Sequence, residues 1–249
     1  MIDVHCHLEQ KDFDKDRDKV IESCKKELDA IIISCTNPRD LSKSIEIVKK
    51  YRGFVFLTAA LHPIYIAKCS EKQIKDYFSK IEENREYIVG IGECGLDYHW
   101  VKDEILREKQ KILFLEHIKL AKKLKLPLVI HSRNAERECL DILKKEKVEK
   151  ALLHFFSNPK LANEVKNAGY FISVNTSILR SKGIRKILKI VGIEKIMTET
   201  DSPWLGFGAR NTPLAIKSVI EKIAELERKS FEEIDELTTR NARAFFNLF

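Results

Sequence analysis

The sequence predicts a (β/α)8 barrel, read as one domain over residues 1–249, and three observations predict it. Short apolar runs rich in β-branched residues recur eight times. Longer stretches with helical periodicity separate them. Imidazole or carboxylate side chains stand at or just beyond the ends of runs one, four, five, six and eight. Alternation of strands and helices implies parallel pairing, because parallel neighbours need a crossover, and right-handed crossovers place every helix outside the sheet. A doubly wound open sheet fits the alternation equally well, but it spreads those five strand ends apart, whereas a ring gathers them around one mouth.

The strands are expected at 1–5 (MIDVH), 30–35 (AIIISC), 54–59 (FVFLTA) and 88–92 (IVGIG), then at 127–131 (PLVIH), 151–155 (ALLHF), 170–174 (YFISV) and 194–198 (EKIMT). Several read as near-continuous hydrophobic runs, the pattern of parallel strands buried on both faces. Among the helical stretches 104–124 is the plainest: Ile105, Ile112, Leu115, Ile118, Leu120 and Leu124 fall near a helical period among good helix formers. Beyond the eighth strand, 212–227 and 230–248 are expected to be closing helices, the second opening on the capping pattern Ser230, Phe231, Glu232, Glu233. No Pro/Ser-rich linker or change of composition divides the chain.

With 44% hydrophobic residues the chain has material for a large core, and its 33% of charged residues exceeds the roughly 25% of an average soluble protein. The formal net charge of +7 and a pI near 9.0 favour a polyanionic partner such as nucleic acid, although a Lys-rich surface gives the same numbers. Stretches such as KKEKVEK (144–150) read as solvated helix faces with opposite charges side by side. Many Lys and Glu with only Gln10, Gln73 and Gln110 as glutamines give a composition like that of heat-adapted proteins. The six cysteines (Cys6, Cys24, Cys35, Cys69, Cys94, Cys139) contain no CxxC pair, so reduced thiols are expected. Cys6 and Cys94, next to the chemical residues, are expected to turn away from them as small hydrophobes. No run approaches 18 apolar residues, and cleaving a signal peptide would remove His5 and His7. A cytoplasmic protein with no membrane partner is the expectation.

Six residues that can hold metal carry the chemistry: His5, His7, Glu93, His131, His154 and Asp201. His5 and His7 lie two apart on a strand and so project from one face. Alone, HxH is as readily two polar tips at a strand end. Glu93 follows IVGIG, where a carboxylate in a buried mouth requires positive charge beside it, and Gly92 and Gly95 imply close backbone approach. Its two oxygens can bridge two cations roughly 3.5–4 Å apart. His131 and His154 each end a hydrophobic strand. Either alone is an ordinary core histidine, but beside HxH and an acid both become candidate ligands. Asp201, after the last strand, can bind metal and accept a proton from water. Glu93 and Asp201 are the expected catalytic acids. His62, Arg133 and Arg210 are candidate substrate contacts, Arg133 having Glu136 as an alternative partner. His117 is assigned to surface or packing and His99 to a loop. Tyr98, Trp100 and Trp204 are aromatics near the mouth able to stack bases or to fill loops.

In order, DVHCHLE (3–9), LHP (61–63), IGECGLDYHW (91–100), LPLVIHSRNAE (126–136), LLHFFSN (152–158), TETDSPWL (198–205) and NARAFF (241–246) resemble the TatD family of metal-dependent hydrolases, a branch of the amidohydrolase-like barrels. The resemblance spans almost the whole chain. It implies two divalent metal ions (zinc, manganese or magnesium), the first on His5, His7, Glu93 and Asp201 and the second on His131, His154 and the shared Glu93. It further implies a phosphodiesterase acting on nucleic acid, DNA first, commonly from a strand's 3′ end. Some relatives are aminoacyl-tRNA deacylases, so an amide or ester hydrolase is the enzymatic alternative, and a metal-containing nucleic-acid binder that does not cut is the other. Barrel hydrolases with a carboxylated Lys at the end of strand 4 are not matched, since Glu93 stands there. Two places depart from the family pattern: HFFSN replaces the usual HCFSG through Phe155 and Asn158, and FGARNTP (207–213) lacks the usual Gly-Lys pair after Arg210.

Overall fold

In the computed structural model, which describes residues 1–248, eight parallel strands follow one another in sequence order around one sheet. They are β1 (Ile2–Cys6), β2 (Ala30–Cys35), β3 (Val55–Ala59), β4 (Ile88–Asp97), β5 (Leu128–Arg133), β6 (Ala151–Leu153), β7 (Phe171–Val174) and β8 (Ile196–Thr198). Between them run α1 (Arg17–Cys24), α2 (Leu41–Lys50), α3 (Glu71–Glu83), α4 (Glu104–Leu124), α5 (Glu136–Lys145), α6 (Ala162–Asn167) and α7 (Lys182–Val191), followed after β8 by α8 (Ile216–Glu227) and α9 (Phe231–Phe246). The seam between β8 and β1 is closed by bonds from the segment after β8 to the end of β1 and the residue beyond it: the Asp201 N–H donates to the His5 carbonyl at 2.9 Å and the His7 N–H to the Ser202 carbonyl at 2.7 Å. The fold is the (β/α)8 barrel that the alternation predicts.

Both faces of the strands are buried, which is why they read as apolar runs. Along β2, Ala30 and Ile32 point into the ring while Ile31, Ile33 and Cys35 meet the surrounding helices. Inside, Ile2, Val4, Ile32, Val129, Leu152 and Met197 pack against Phe245, Phe246 and Leu248 from the end of the chain. These inward residues lie near the strand starts, so the end of α9 plugs the N-terminal mouth with apolar side chains. The polar side chains that end the strands are left to the opposite mouth. Ser230 and Glu233 form the reciprocal cap that the sequence announces for α9.

Several boundaries move for physical reasons. β4 runs on to Asp97 instead of stopping at Gly92, because after a register shift against β5 between Ile91 and Cys94 the pairing resumes at Cys94 with Ile130 and continues through Gly95 with His131 to Asp97 with Arg133. Gly92 and Gly95 make this passage possible: a Cβ on Gly92 would strike Val129, and one on Gly95, whose φ is +138°, would run into the His131 carbonyl. β6 ends at Leu153, and 193–195 is a 3-10 turn ahead of β8. Residues 213–215 form another turn before α8, since Pro213 starts a helical segment but cannot lie within one. Within α4 the buried residues are Gln110, Leu113, Phe114, His117, Ile118, Leu120 and Ala121, so Ile118 and Leu120 are buried as expected, whereas Ile105 and Ile112 face solvent. Among the described residues no helix is long and apolar enough to cross a membrane.

Candidate metal centre

Glu93 is the hub on which the strand ends converge. Its Oε2 lies 3.4 Å from His5 Nε2 and 3.9 Å from His7 Nε2. Its Oε1 faces the other way, 2.6 Å from His131 Nδ1, 3.3 Å from His62 Nε2 and 3.6 Å from His154 Nε2. Asp201 Oδ1 completes the first group, 3.4 Å from His7 Nε2 and 3.8 Å from His5 Nε2. Each side chain is set by its local backbone. His5 and His7 share a face through the two-residue strand period. His131 pairs in register with Gly95, whose missing side chain leaves room for the imidazole strand to approach. His154 is one residue beyond β6, yet its N–H still donates to the Ile130 carbonyl at 3.0 Å. Asp201 has φ of 54°, in the left-handed region that Asp tolerates better than most residues.

Three rings are fixed from behind by an oxygen and turn their other nitrogen to the acids. His7 Nδ1 bonds the Ser34 carbonyl at 3.0 Å, His131 Nε2 bonds Asp97 Oδ2 at 3.0 Å, and His154 Nδ1 bonds Glu199 Oε2 at 2.8 Å. Metal-ligating histidines characteristically donate their outer N–H in this way, which fixes tautomer and ring direction. His5 goes further: both ring nitrogens are buried with no hydrogen-bond partner, a costly state for polar atoms unless something else meets them. Burial, reinforced by the charge on His154, lowers its pKa and keeps the ring neutral, which leaves a lone pair for a cation. The residues present therefore fit divalent metal.

The electrostatics agree with a cation-seeking pocket. Burial opposes a negative charge on Glu93, but the surrounding imidazoles, His62 and His154 foremost, outweigh it and hold the carboxyl well below the usual range. Burial likewise opposes a charge on His154, yet the Glu199 and Glu93 carboxylates raise its pKa to about 10. Positive charge is thus favoured at the centre in protonic form, and metal is the other way to supply it.

All six expected ligands come together around this hub. The candidate substrate contacts divide. His62 joins the cluster, and its Nδ1 accepts the Ile64 N–H at 3.2 Å, so the neutral ring carries its proton on Nε2 and faces Glu93 as a donor instead of a ligand. Arg133 stands at the rim, its guanidinium carbon 5.6 Å from the Trp100 ring centre. Arg210 stands apart: its fork grips Asp16 at 2.6 and 2.8 Å. Sequence reading missed Asp97 and Glu199, although the same-face rule that picks His5 and His7 also pairs Glu199 with Asp201 and, across Gly95, Glu93 with Asp97. It also missed Asp3, which ties the seam by accepting the N–H groups of His5 and Thr200 and, at 2.6 Å, the Thr200 hydroxyl. His117 is buried in packing, as one of its two expected placements had it.

The model of the family described as TatD related DNase matches residues 2–247. An uncharacterised metal-dependent hydrolase of Methanocaldococcus jannaschii is 36% identical, covering 98% of this chain and 96% of its own. A human protein named deoxyribonuclease TATDN3 is 35% identical, covering 99% of this chain and 94% of its own. Among solved structures, a TatD homologue from Escherichia coli superposes with a TM-score of 0.91 at 26% identity, covering 100% of this chain and 98% of that one.

Proposed function

The chain belongs to the TatD-related DNase family of metal-dependent hydrolases, and from that premise we propose that it hydrolyses phosphodiesters of nucleic acid, DNA first, trimming from the 3′ end with two divalent cations bound. The observation that carries the reading is Glu93, one carboxylate whose Oε2 faces His5 and His7 and whose Oε1 faces His131 and His154, with the His5 and His154 rings stacked against each other between the two sides. His5, His7, Asp201 and Glu93 Oε2 would hold one ion, and His131, His154 and Glu93 Oε1 the other. Four imidazoles among six donors favour zinc or manganese over magnesium. We place the barrel, as one domain, in the cytoplasm, a reading supported by its six free cysteines.

When bound, the cations supply Lewis-acid charge for the phosphoryl oxygens and make water more acidic. The protein's own groups do the rest. Asp201 turns Oδ1 to His5 and His7 and leaves Oδ2 to orient the attacking water and take its proton. His62, protonated on Nε2, donates towards charge developing on the phosphoryl group. Arg133 at the rim reaches a neighbouring phosphate.

The test is turnover by purified protein loaded with manganese or zinc on a 5′-labelled single strand, run beside acyl-ester substrates. Progressive shortening of the strand is expected, with Asp201→Asn lowering kcat by roughly 10²- to 10⁴-fold while circular dichroism and thermal midpoint stay as in the parent. Elemental analysis should find two ions per chain. Ester cleavage without strand cleavage, or an Asp201→Asn variant as fast as the parent, overturns the proposal.

A further inference from the structure

We propose that Trp100 and Trp204 are platforms on which unpaired bases stack on opposite sides of the scissile phosphate, an inference that rests on the phosphodiesterase reading above. Trp100 is 66% exposed and Trp204 53% exposed, whereas a side chain of that size is normally covered for most of its area. Both follow strands that carry site acids. Trp100 lies beyond β4 and Trp204 beyond β8, and in a ring of eight strands these two are diametrically opposed. Two flat apolar surfaces therefore flank the centre from opposite rims.

Each is also pinned to the site itself. The Trp100 N–H donates to Asp97 Oδ1 at 2.7 Å, and the other oxygen of that carboxylate holds His131. The Trp204 N–H donates to the Asp201 carbonyl at 2.9 Å. Backbone anchoring of this kind fixes the points on the chain from which the two indoles project and leaves their faces exposed. A guanidinium stands beside the Trp100 ring and another beside Phe207, three residues beyond Trp204. Arg133, two residues past His131, packs beside Trp100, and on the other rim Arg180 lies 3.9 Å from the centre of the half-exposed Phe207 ring. A ring that offers a π-face next to a guanidinium suits a ligand built of flat bases and phosphates. Because a paired base has both faces occupied within the duplex, these platforms select bases that are already unpaired or have been opened locally.

The chain contains only two tryptophans, so its intrinsic fluorescence reads these two positions alone. The probes are oligothymidylate and an abasic phosphodiester oligomer of the same length, offered to the manganese-loaded protein, with phosphorothioate linkages to slow cutting during the binding measurement. Trp100→Phe and Trp204→Phe each leave one reporter. Oligothymidylate should quench both reporters saturably, and the abasic oligomer should leave them bright. In turnover, Trp100→Ala and Trp204→Ala should each raise KM for oligothymidylate roughly 10- to 100-fold, leave KM and kcat for the abasic oligomer within about twofold, and be largely rescued by Phe. Cutting of oligothymidylate with emission and KM untouched in the variants overturns the stacking assignment and leaves the phosphodiesterase reading standing. Cutting of neither oligomer by the parent protein defeats that reading and this inference with it.

Discussion

At His154 the nitrogen that faces Glu93 is steered from behind by Glu199 Oε2, while Glu199 Oε1 takes the Asn175 amide at 3.0 Å. Both oxygens of a fully buried carboxylate are thus occupied by donors. Glu199→Gln keeps the shape but replaces one acceptor with an NH2 group, so either His154 Nδ1–H or the Asn175 amide meets a donor. We predict a 10- to 100-fold loss of metal affinity, read by competition with a chromogenic chelator, with helix content unchanged. Affinity equal to the parent would remove Glu199 from the site's architecture. Its neighbour His5 is the opposite case, a ring with no hydrogen-bond partner at either nitrogen. The contrast explains what a sequence reveals at this scale. His5, His7, His131 and His154 were legible because an imidazole at the end of an apolar run is chemically conspicuous. Glu199 and Asp97 were hidden because acids beside a stronger candidate read as ordinary loop polarity until the strand's two-residue period is carried past its apparent end. Arg210 was conspicuous too, but nothing in its sequence neighbourhood shows that Asp16, almost two hundred residues away, occupies its fork.

Among the elements, α4 is the one whose limits were plainest and whose buried face was least so. Asp103 caps its start by accepting the Leu106 N–H, and Lys125 ends it in a left-handed conformation, at the limits that the run of good helix formers over 104–124 had set. The inward stripe instead includes Gln110 and His117, two polar residues that no hydrophobic period selects. Gln110 accepts the Asp97 N–H at 3.0 Å and donates to the Pro63 carbonyl at 3.1 Å. His117 Nε2 accepts the Leu61 N–H at 3.1 Å. One helix thereby steadies both the segment that carries His62 and the end of β4. The His117 bond requires a neutral ring, and burial pushes its pKa down to about 3 from an ordinary 6.5. The unfolded chain takes up this proton near pH 6.5 while the folded chain resists until about pH 3, so stability is full above 6.5 and falls as the pH drops through that window. By pH 4 the loss amounts to about 3 kcal/mol. His117→Gln retains an acceptor that does not titrate, and its urea midpoint should fall less than the parent's between pH 7 and pH 4. Parallel decline of the two midpoints would show that acid sensitivity arises elsewhere.

For the whole molecule, the question is where the net charge of +7 acts. Much of the surface charge is neutralised locally by helix neighbours, as in Lys111 with Glu108, Lys119 with Glu116 and Lys222 with Glu225. A cavity of about 730 Å³ on the N-terminal face gathers Arg85, Lys122, Lys125, Lys147 and Lys150 with only Glu86 and Glu149 against them. That face is plugged by Phe245 and Phe246 and lies across the barrel from Glu93. In a barrel of this kind chemistry belongs to the C-terminal mouth, and charge farther away than a Debye length of about 8 Å is screened at physiological salt. The basic composition that favoured a polyanionic partner in the sequence therefore does not single out residues at the mouth, whereas the proposed contact at Arg133, a cation that stands there beside Trp100, does. Replacing Lys125, Lys147 and Lys150 together with Glu removes most of the net charge. We predict that it leaves the salt dependence of KM for a single strand unchanged at 0.1 M salt and above. Arg133→Ala changes the net charge by one, yet should flatten the slope of log KM against log salt by about 0.7, the value for one single-strand phosphate contact. The two variants separate steering by the molecule's total charge from contact by a placed residue. A slope that collapses in the triple variant and persists in Arg133→Ala would mean that the strand is held on the N-terminal face, away from the imidazoles and acids at the other mouth.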